Sequence, residues 1–525
     1  MIFTSNYPSR TIPNVTVYEY LFENNPNMKD ETKSFVDSDN PSQAITYAEL
    51  KNMVLKLGAG LKKKFPDFKQ GDVVAIYSPN NLYYPPTLHG ISAAGGVVAT
   101  IDNTCDVNTA ASCLETVQAK IIVAHPDTFS RAQEAAKAAG IPTENVLVFG
   151  DTANDVFWNH QDVITPVKYT EEQLDRLPCF LYFTSGTTGK KKAVIITHRM
   201  MVGSSERVIN LTPHLRQLCH TELHHSSALA GALNACIRLG YTTYILKKFS
   251  FDVYFAAVER HRADLISIQP WIIAYMVKEK SLTSQYDLTS LKVAISSGSS
   301  SNKELCCAFF EKFKFPILNM FGMTEVIGAF QGSPDISMKG SVGLIAPGFE
   351  VKLLDSDGKE LGYNELGEMY IKGPTVTHGY YNNKEATLKS FDSDGFFRTQ
   401  DLIRVNDEGY FTIIDRLTDI WKHKYIIVVP QDIETVLKTH PSVVECSAVG
   451  IYDKNDSIWV PRVFVSLLKD TQDIEQVKRE ILEIGKTQLL EHQQISGGLY
   501  VIDTLPKNTS GKINRLALRQ YEVTA

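Results

Sequence analysis

Residues 181–194 read LYFTSGTTGKKKAV: an apolar lead, six glycine or hydroxylated residues, then three lysines. Glycines let successive N–H groups turn to one side, Ser and Thr add hydroxyl donors, and lysines add mobile positive charge. That combination suits a polyphosphate. It is not the P-loop of kinases and ATPases, which needs four residues between its glycines and a Lys followed by Ser or Thr, whereas only Thr187 and Thr188 separate Gly186 from Gly189. Taken alone, the same residues also read as a polar hairpin turn followed by a solvated basic face. Near the C-terminus, Lys512 follows Gly511 in PKNTSGKINR. Its turn formers suit a long lysine on a loop that enters a site and leaves it, although a single lysine is most often solvated. Glu325 in MFGMTE is a candidate metal ligand or a carboxylate at a helix start. Cys219, His220, His224 and His225 group possible zinc ligands, but no second cluster supplies the usual spacing.

The chain behind these residues has 525 amino acids, 43% of them hydrophobic, enough for a large core and more than one domain. Lys+Arg 53 against Asp+Glu 59 leaves a net charge of −6, so no overall basic field recruits nucleic acid or an anionic membrane. Phosphate binding must therefore be local. Eight irregularly spaced cysteines, including adjacent Cys306 and Cys307, fit buried reduced thiols rather than a disulfide framework. The N-terminal MIFTSNYPSR lacks a secretory pattern, no apolar run is long enough to cross a bilayer, and YEVTA is not an SKL-type address. The expected location is cytoplasmic. Nothing in the sequence specifies an oligomeric state.

Short β-branched runs at 72–79, 96–100, 120–124 and 145–149 alternate with helical patterns at 47–63 and 128–139, predicting an α/β domain with largely parallel sheets. The alternation returns with strands at 243–246, 263–269 and 293–296. Beyond Pro347, closely spaced strands (GFEVKLLD, GEMYIKG, DLIRVND, GYFTIID) predict a β-rich subdomain. From about Trp421 a small α+β unit follows, with helices near 431–440 and 474–490 and strands near 443–451 and 462–467.

The 184–192 loop, MFGMTE (320–325), GFFRTQD (395–401), IIDR (413–416) and PKNTSGKINR (506–515) occur in the order that marks the adenylate-forming superfamily. The chain resembles its acyl-CoA synthetases, 4-coumarate-CoA ligases, firefly luciferase and peptide-synthetase adenylation domains from about residue 46 to 518. The resemblance implies a large N-terminal domain, 1–417, and a small mobile C-terminal domain, 418–525. It implies that a carboxylate attacks the α-phosphorus of ATP, giving an acyl-adenylate and pyrophosphate, and that the acyl group then passes to CoA, with Mg2+ as the metal. Donors around the triphosphate, a divalent cation and a further positive charge answer the meeting of two anions. By resemblance Thr184, Ser185, Gly186, Thr187, Thr188 and Gly189 cover the phosphates with Lys192. Gly298, Ser299 and Ser300 border nucleotide and acid. Phe321 packs on adenine beside Gly322, Thr324 contacts phosphate, and Glu325 holds the metal. Asp401 accepts from the ribose, and Arg416 contacts ribose or phosphate. Lys512 is the adenylation lysine, and Lys422 serves the adenylate or the second step. His225 aligns with the histidine of the acyl-pocket wall, with His224 competing for that role.

Several positions depart from the family pattern. Lys191, Lys192 and Ala193 replace a usual Pro-Lys-Gly, and Gln400 replaces the glycine before Asp401. The hinge position, usually Lys or Asp, is Thr418, which is stiffer at χ1 and uncharged, although hinges use many residue types. Lys424 is followed by Tyr425 where relatives have the glycine facing the CoA pantetheine channel, and a phenol there could obstruct it. The leading expectation is a carboxylic acid–CoA ligase. An adenylating enzyme with another acceptor (a carrier protein, an amine, or luciferase-like oxidation) stays open beside it, as does a non-catalytic member of the fold. In the acyl pocket, formed by Ser227, Gly231 and Met320, Ser227 stands where 4-coumarate ligases often have Tyr and Met320 where they often have Gly. One change opens space and the other fills it, so the expected acid is mostly apolar and of medium size, aromatic or aliphatic.

Overall fold

The computed structural model describes residues 1–8, 11–23, 25–149, 161–184, 191–207, 212–298, 301–424, 426–453, 458–508 and 511–521. Strands Val146–Val148, Ile121–Ala124, Val73–Tyr77, Val97–Ile101 and Pro178–Thr184 lie side by side in parallel, and Lys192–Thr197 closes the edge as an antiparallel hairpin. VVAIY and VVATI are buried at every residue, as parallel strands covered on both faces must be. A second sheet runs Ile317–Asn319, Val293–Ser296, Leu265–Ile268, Arg216–Cys219, Thr242–Ile245 and Lys33–Asp37 in parallel, with Ala44–Thr46 antiparallel at its edge. Helix Tyr47–Lys64 begins with a capping box, Thr46 accepting from the Glu49 N–H and Glu49 accepting from the Thr46 N–H. Its Leu50, Val54, Leu57 and Leu61 recur on one face and are fully buried.

The β-rich subdomain is a five-stranded antiparallel sheet, Ile2–Thr4, Glu350–Leu354, Leu366–Lys372, Phe397–Val405 and Phe411–Arg416, to which the chain's first residues return. The C-terminal unit follows the sequence reading: helices Pro430–Leu437 and Ile474–Gln488, strands Val443–Asp453 and Ile458–Leu467, and a short hairpin of Trp421–His423 with Ile426–Val428. Its main core, including Trp421, Ile433, Leu437, Cys446, Val463 and Ile481, draws only on residues from 421 onward. We propose on this ground that the chain divides into 1–417 and 418–525. Six of the eight cysteines are buried and all are free.

Three groups of charged side chains join the two units. Lys278 Nζ donates to the carbonyls of Lys438 (2.9 Å) and His440 (3.1 Å), just past helix Pro430–Leu437, and of Val443, which opens strand Val443–Asp453. Burial, then the Lys438 charge, pushes the Lys278 ammonium down to about 8, and the carbonyl oxygens hold it at the helix end. Lys507 Nζ lies 3.6 Å from the Trp271 ring centroid and 2.9 Å from Glu445. Arg515 reaches Asp415 (3.3 Å), Asp419 (2.9 Å) and Glu434 (2.7 Å) across the junction.

Gln400 adopts φ +62°, a left-handed backbone that glycine takes without cost and a side chain with a Cβ does not. Its carbonyl accepts the Leu417 N–H at 2.9 Å, so the turn is locked where the two units meet, while its side chain is exposed. The bulky neighbour of Asp401 is thus accommodated at the exposed rim of a cavity, at the expense of backbone strain. Gln400→Gly is expected to raise the unfolding free energy by about 1 kcal/mol, measured by urea denaturation; unchanged or lower stability would remove strain as the description of this turn.

Candidate active site

Five parallel strands end at the same place. Asp102 follows Val97–Ile101, the 220–225 segment follows Arg216–Cys219, Gln269 follows Leu265–Ile268, Gly298 lies just beyond Val293–Ser296, and 320–325 follows Ile317–Asn319. Ligands of open α/β sheets bind outside the carboxyl ends of their strands, where backbone turns rather than side-chain bulk meet solvent. Here those ends line one connected cavity of about 1220 Å³, which the C-terminal unit reaches with Asn508, Gly511 and Lys512. A single small ligand ordinarily occupies roughly 300–1,000 Å³, so this volume admits a nucleotide and a second molecule together.

The phosphate-loop segment spans the hairpin between Pro178–Thr184 and Lys192–Thr197, with Thr184 directly opposite Lys192. Ser185, Gly186, Thr187, Thr188 and Gly189 lie outside the described residues, as do Ser299, Ser300 and Tyr425. Lys192 Nζ sits 4.2 Å from the Tyr380 ring centroid, and the Tyr380 hydroxyl donates to Glu325 Oε1 at 2.9 Å. One aromatic residue thereby orients both a lysine and a carboxylate, and nothing in the GYYNN context of Tyr380 announced it. The additional Lys191 points elsewhere, with Nζ 3.4 Å from Asp102 Oδ2. Its charge is met inside the protein.

Glu325 is 4% exposed, and its carbonyl accepts the Thr377 N–H at 2.8 Å. Thr324 Oγ1 is 3.1 Å from Ser226 Oγ, which ties the MTE turn to helix Ser226–Ala230. His225 precedes that helix as its N-cap residue and lines the cavity with Ser227 and Gly231, and Met320 lines it from the strand end. His224 is buried, its ring centroid 4.3 Å from that of His225. Phe321 packs edge-to-face on Phe330 at 5.5 Å, next to Gly322. Gly298 has φ +92°, a backbone that favours glycine and lets the chain turn at the cavity wall. His220 Nε2 and Gln269 Oε1 are 3.1 Å apart beside Gly511, a pairing between distant segments with no sequence signature.

Asp401 is 4% exposed and pairs with Arg416 Nε at 3.2 Å. Burial pushes its carboxyl up, against the pull of Arg416 and Lys512. Lys512 enters from the C-terminal unit. Burial, then the Arg416 charge, pushes its ammonium down to about 8, while Asp401 and Glu325 hold it up. The sequence candidates Lys512, Asp401, Arg416 and Glu325 thus share one electrostatic environment although 187 positions (512 − 325) separate the first and last. Lys422 and Lys424 are exposed on the hairpin outside the cavity, and Lys424 has φ +56°. Thr418 lies between the two units, its carbonyl accepting from Arg519 Nη2 at 3.1 Å.

Residues 22–381 match the AMP-binding enzyme family, and residues 432–512 match the AMP-binding enzyme C-terminal domain. The chain is 28% identical to phenylacetyl-CoA ligase epaB of Aspergillus niger over 98% of each chain. It is 30% identical to a 4-coumarate–CoA ligase of Pinus taeda over 90% of this chain and 89% of that one. Among solved structures, the anthranilate CoA ligase AuaEII superposes with a TM-score of 0.86 at 22% identity, covering 97% of each chain. The amide bond synthetase McbA of Marinactinospora thermotolerans superposes with a TM-score of 0.82 at 20% identity, covering 97% of this chain and 99% of that one. With a family match across most of its N-terminal part, a second match in its C-terminal unit, and the fold of these structures, the chain belongs to the AMP-binding enzyme family.

Proposed function

We propose that this protein activates a carboxylic acid with ATP and passes the acyl group to CoA. The observation that carries the reading is the half-buried Lys512, delivered from the C-terminal unit to a cavity that Arg416 and Glu325 also line, within the field of Asp401. The acid's oxygen attacks the α-phosphorus, the bond to the β-phosphate oxygen breaks, and pyrophosphate leaves. In this reading Lys512 supplies positive charge where it develops on the transferring phosphoryl group, Asp401 accepts from the ribose, and Phe321 and Gly298 border the base. The Glu325 carboxylate and the neighbouring Thr324 hydroxyl are hard oxygen donors of the kind Mg2+ takes, and bound Mg2+ would offset polyphosphate charge there. The CoA ligase names carried by relatives that match nearly the whole chain support the second step. Ser227, Gly231 and Met320 suit a mostly apolar acid of medium size. Among the described residues no helix is long and apolar enough to cross a membrane.

Thioester formation needs a second arrangement, because Lys422 and Lys424 stand outside the cavity while Lys512 is inside. Rotation of the C-terminal unit about Thr418 would exchange them, a closure of the kind that gates many two-domain enzymes. Tyr425, in place of a channel-facing glycine, favours a second reading in which adenylation is retained and an acceptor other than CoA is used.

Pyrophosphate release over a panel of acids, with and without CoA, tests the function directly. Lys512→Ala is expected to lower acyl-adenylate formation by orders of magnitude, the effect of losing roughly 3–4 kcal/mol of transition-state stabilisation; release equal to the parent's would remove Lys512 from the first step. Tyr380→Phe keeps the ring under Lys192 but strips the donor from buried Glu325, so denaturant titration should register a loss of about 1–3 kcal/mol. No loss would mean that Glu325 finds another partner. Quench-flow with mass detection of acyl-AMP and acyl-CoA should show Tyr425→Gly accelerating the second step alone. Fast thioester formation in the parent, unchanged in Tyr425→Gly, would mean that the phenol leaves the channel open.

A further inference from the structure

Beside the acyl-pocket wall, the cavity has a polar corner that adenylate formation does not use. It is built from Asp102, at the end of strand Val97–Ile101, and from Glu222 and His224 in the turn that leads to helix Ser226–Ala230. The turn is held by its own backbone, His225 N–H donating to the Glu222 carbonyl at 3.0 Å, and by the Thr100 hydroxyl, which donates to the His224 carbonyl at 3.1 Å. These bonds fix the backbone and do not engage the side chains.

The side chains are incompletely paired. His224 is 7% exposed, and neither ring nitrogen has a hydrogen-bond partner; its Nε2 stops 3.8 Å from Asp102 Oδ1. Glu222 Oε2 is buried and also lacks a partner. Asp102, in contrast, is satisfied: Oδ1 accepts the Thr104 N–H at 2.9 Å and the Thr104 hydroxyl at 2.7 Å, and Oδ2 faces Lys191 at 3.4 Å. Buried polar atoms are almost always hydrogen-bonded, because each one left without a partner forfeits its hydration. Three orphaned atoms on two residues that line one cavity therefore mark a place where a small shift of the side chains would let a bound molecule complete the bonding.

We infer that Glu222 and His224, backed by Asp102, form a polar subsite that receives a hydroxyl or amino group of a substrate. The chemistry follows from what each atom offers. A neutral imidazole presents one donor and one acceptor, and a glutamate oxygen presents an acceptor, which together match a group that both donates and accepts. The Lys191 charge is already engaged by Asp102, so among the described residues of the corner no lysine is left over for a carboxylate or phosphate. Burial pushes the Glu222 carboxyl up to about 7, and the Asp102 charge adds to this, while burial pushes His224 down, against the pull of Asp102, and favours its neutral form. A donor placed against Glu222 would relieve its isolation. A metal is not the occupant this geometry suits: among the described residues no group of three His, Cys, Asp or Glu side chains is arranged to hold one.

The inference rests on the acid-activation reading, since the same cavity must hold the acid, and two sources could supply the group: the tail of the acid or the acceptor of the second step. Calorimetric binding needs no turnover and is measured on the full-length protein with 3-phenylpropanoate and its 4-hydroxy and 4-amino derivatives, and with hexanoate and its 6-hydroxy and 6-amino derivatives. Pyrophosphate release is followed in parallel with the same acids, and the acceptor KM is followed with CoA and with propylamine. If the acid supplies the group, the substituted member of a series binds about tenfold more tightly than the unsubstituted one, and Glu222→Gln abolishes the preference. If the acceptor supplies it, acid binding is indifferent to substitution and Glu222→Gln raises an acceptor KM about tenfold. His224→Leu, which removes the other two orphaned atoms, is expected to act in the same direction. A binding preference without pyrophosphate release from any acid would keep the subsite and defeat acid activation. Pyrophosphate release with no preference in either series and an acceptor KM unchanged in both variants would overturn the subsite, leaving the corner to a buried water.

Discussion

A buried ammonium governs this architecture. Taking a lysine out of water costs several kcal/mol unless opposite charge meets it, and Lys512 is half-buried beside another cation, Arg416. It is tolerated there because Asp401 and Glu325, both themselves buried, supply compensating charge from the N-terminal unit. Those carboxylates are in turn placed by Arg416 and by the Tyr380 hydroxyl. The carboxylates keep these partners within the N-terminal unit, and the C-terminal unit adds the ammonium to them.

The contacts that hold the docked arrangement are polar rather than apolar. Lys278 caps the end of a helix, Lys507 lies on the Trp271 ring, and Arg515 spans three carboxylates. An extended apolar seam would resist separation in water; ion pairs and carbonyl contacts exchange for water with a small net change. Asp415 stands at the centre of this junction, its carboxyl pushed up to about 6 by burial and held down by Arg515, whose guanidinium it shares with Asp419 and Glu434.

Local departures from the family pattern become intelligible when their partners are visible. Lys191 adds a positive charge to the phosphate-loop region, and Asp102 absorbs it. Gln400 occupies a left-handed turn next to Asp401, and the Leu417 N–H fastens its carbonyl. In both cases the substitution is accommodated by a residue remote in sequence, which explains why neither could be judged from its neighbours.

The sequence alone determined the elements and the chemistry that ordered motifs carry. Runs such as VVAIY and VVATI specify buried strands through composition, and Leu50, Val54, Leu57 and Leu61 specify a helix through spacing, because both patterns are local. Lys512, Asp401, Arg416 and Glu325 were legible as candidates for the same reason: each sits in a short motif. The strand Lys33–Asp37, with only two apolar residues in KSFVD, carried no such pattern and joins its sheet through parallel pairing with Thr242–Ile245. What only the tertiary structure decided was convergence. Strand ends scattered from Asp102 to Met320 meet at one cavity, and Tyr380 joins Lys192 to Glu325. Glu222 and His224 become unusual only when burial leaves their polar atoms without partners. Hydrogen bonding, desolvation and charge compensation depend on distances between segments far apart along the chain, and a linear pattern records residue types but not those distances.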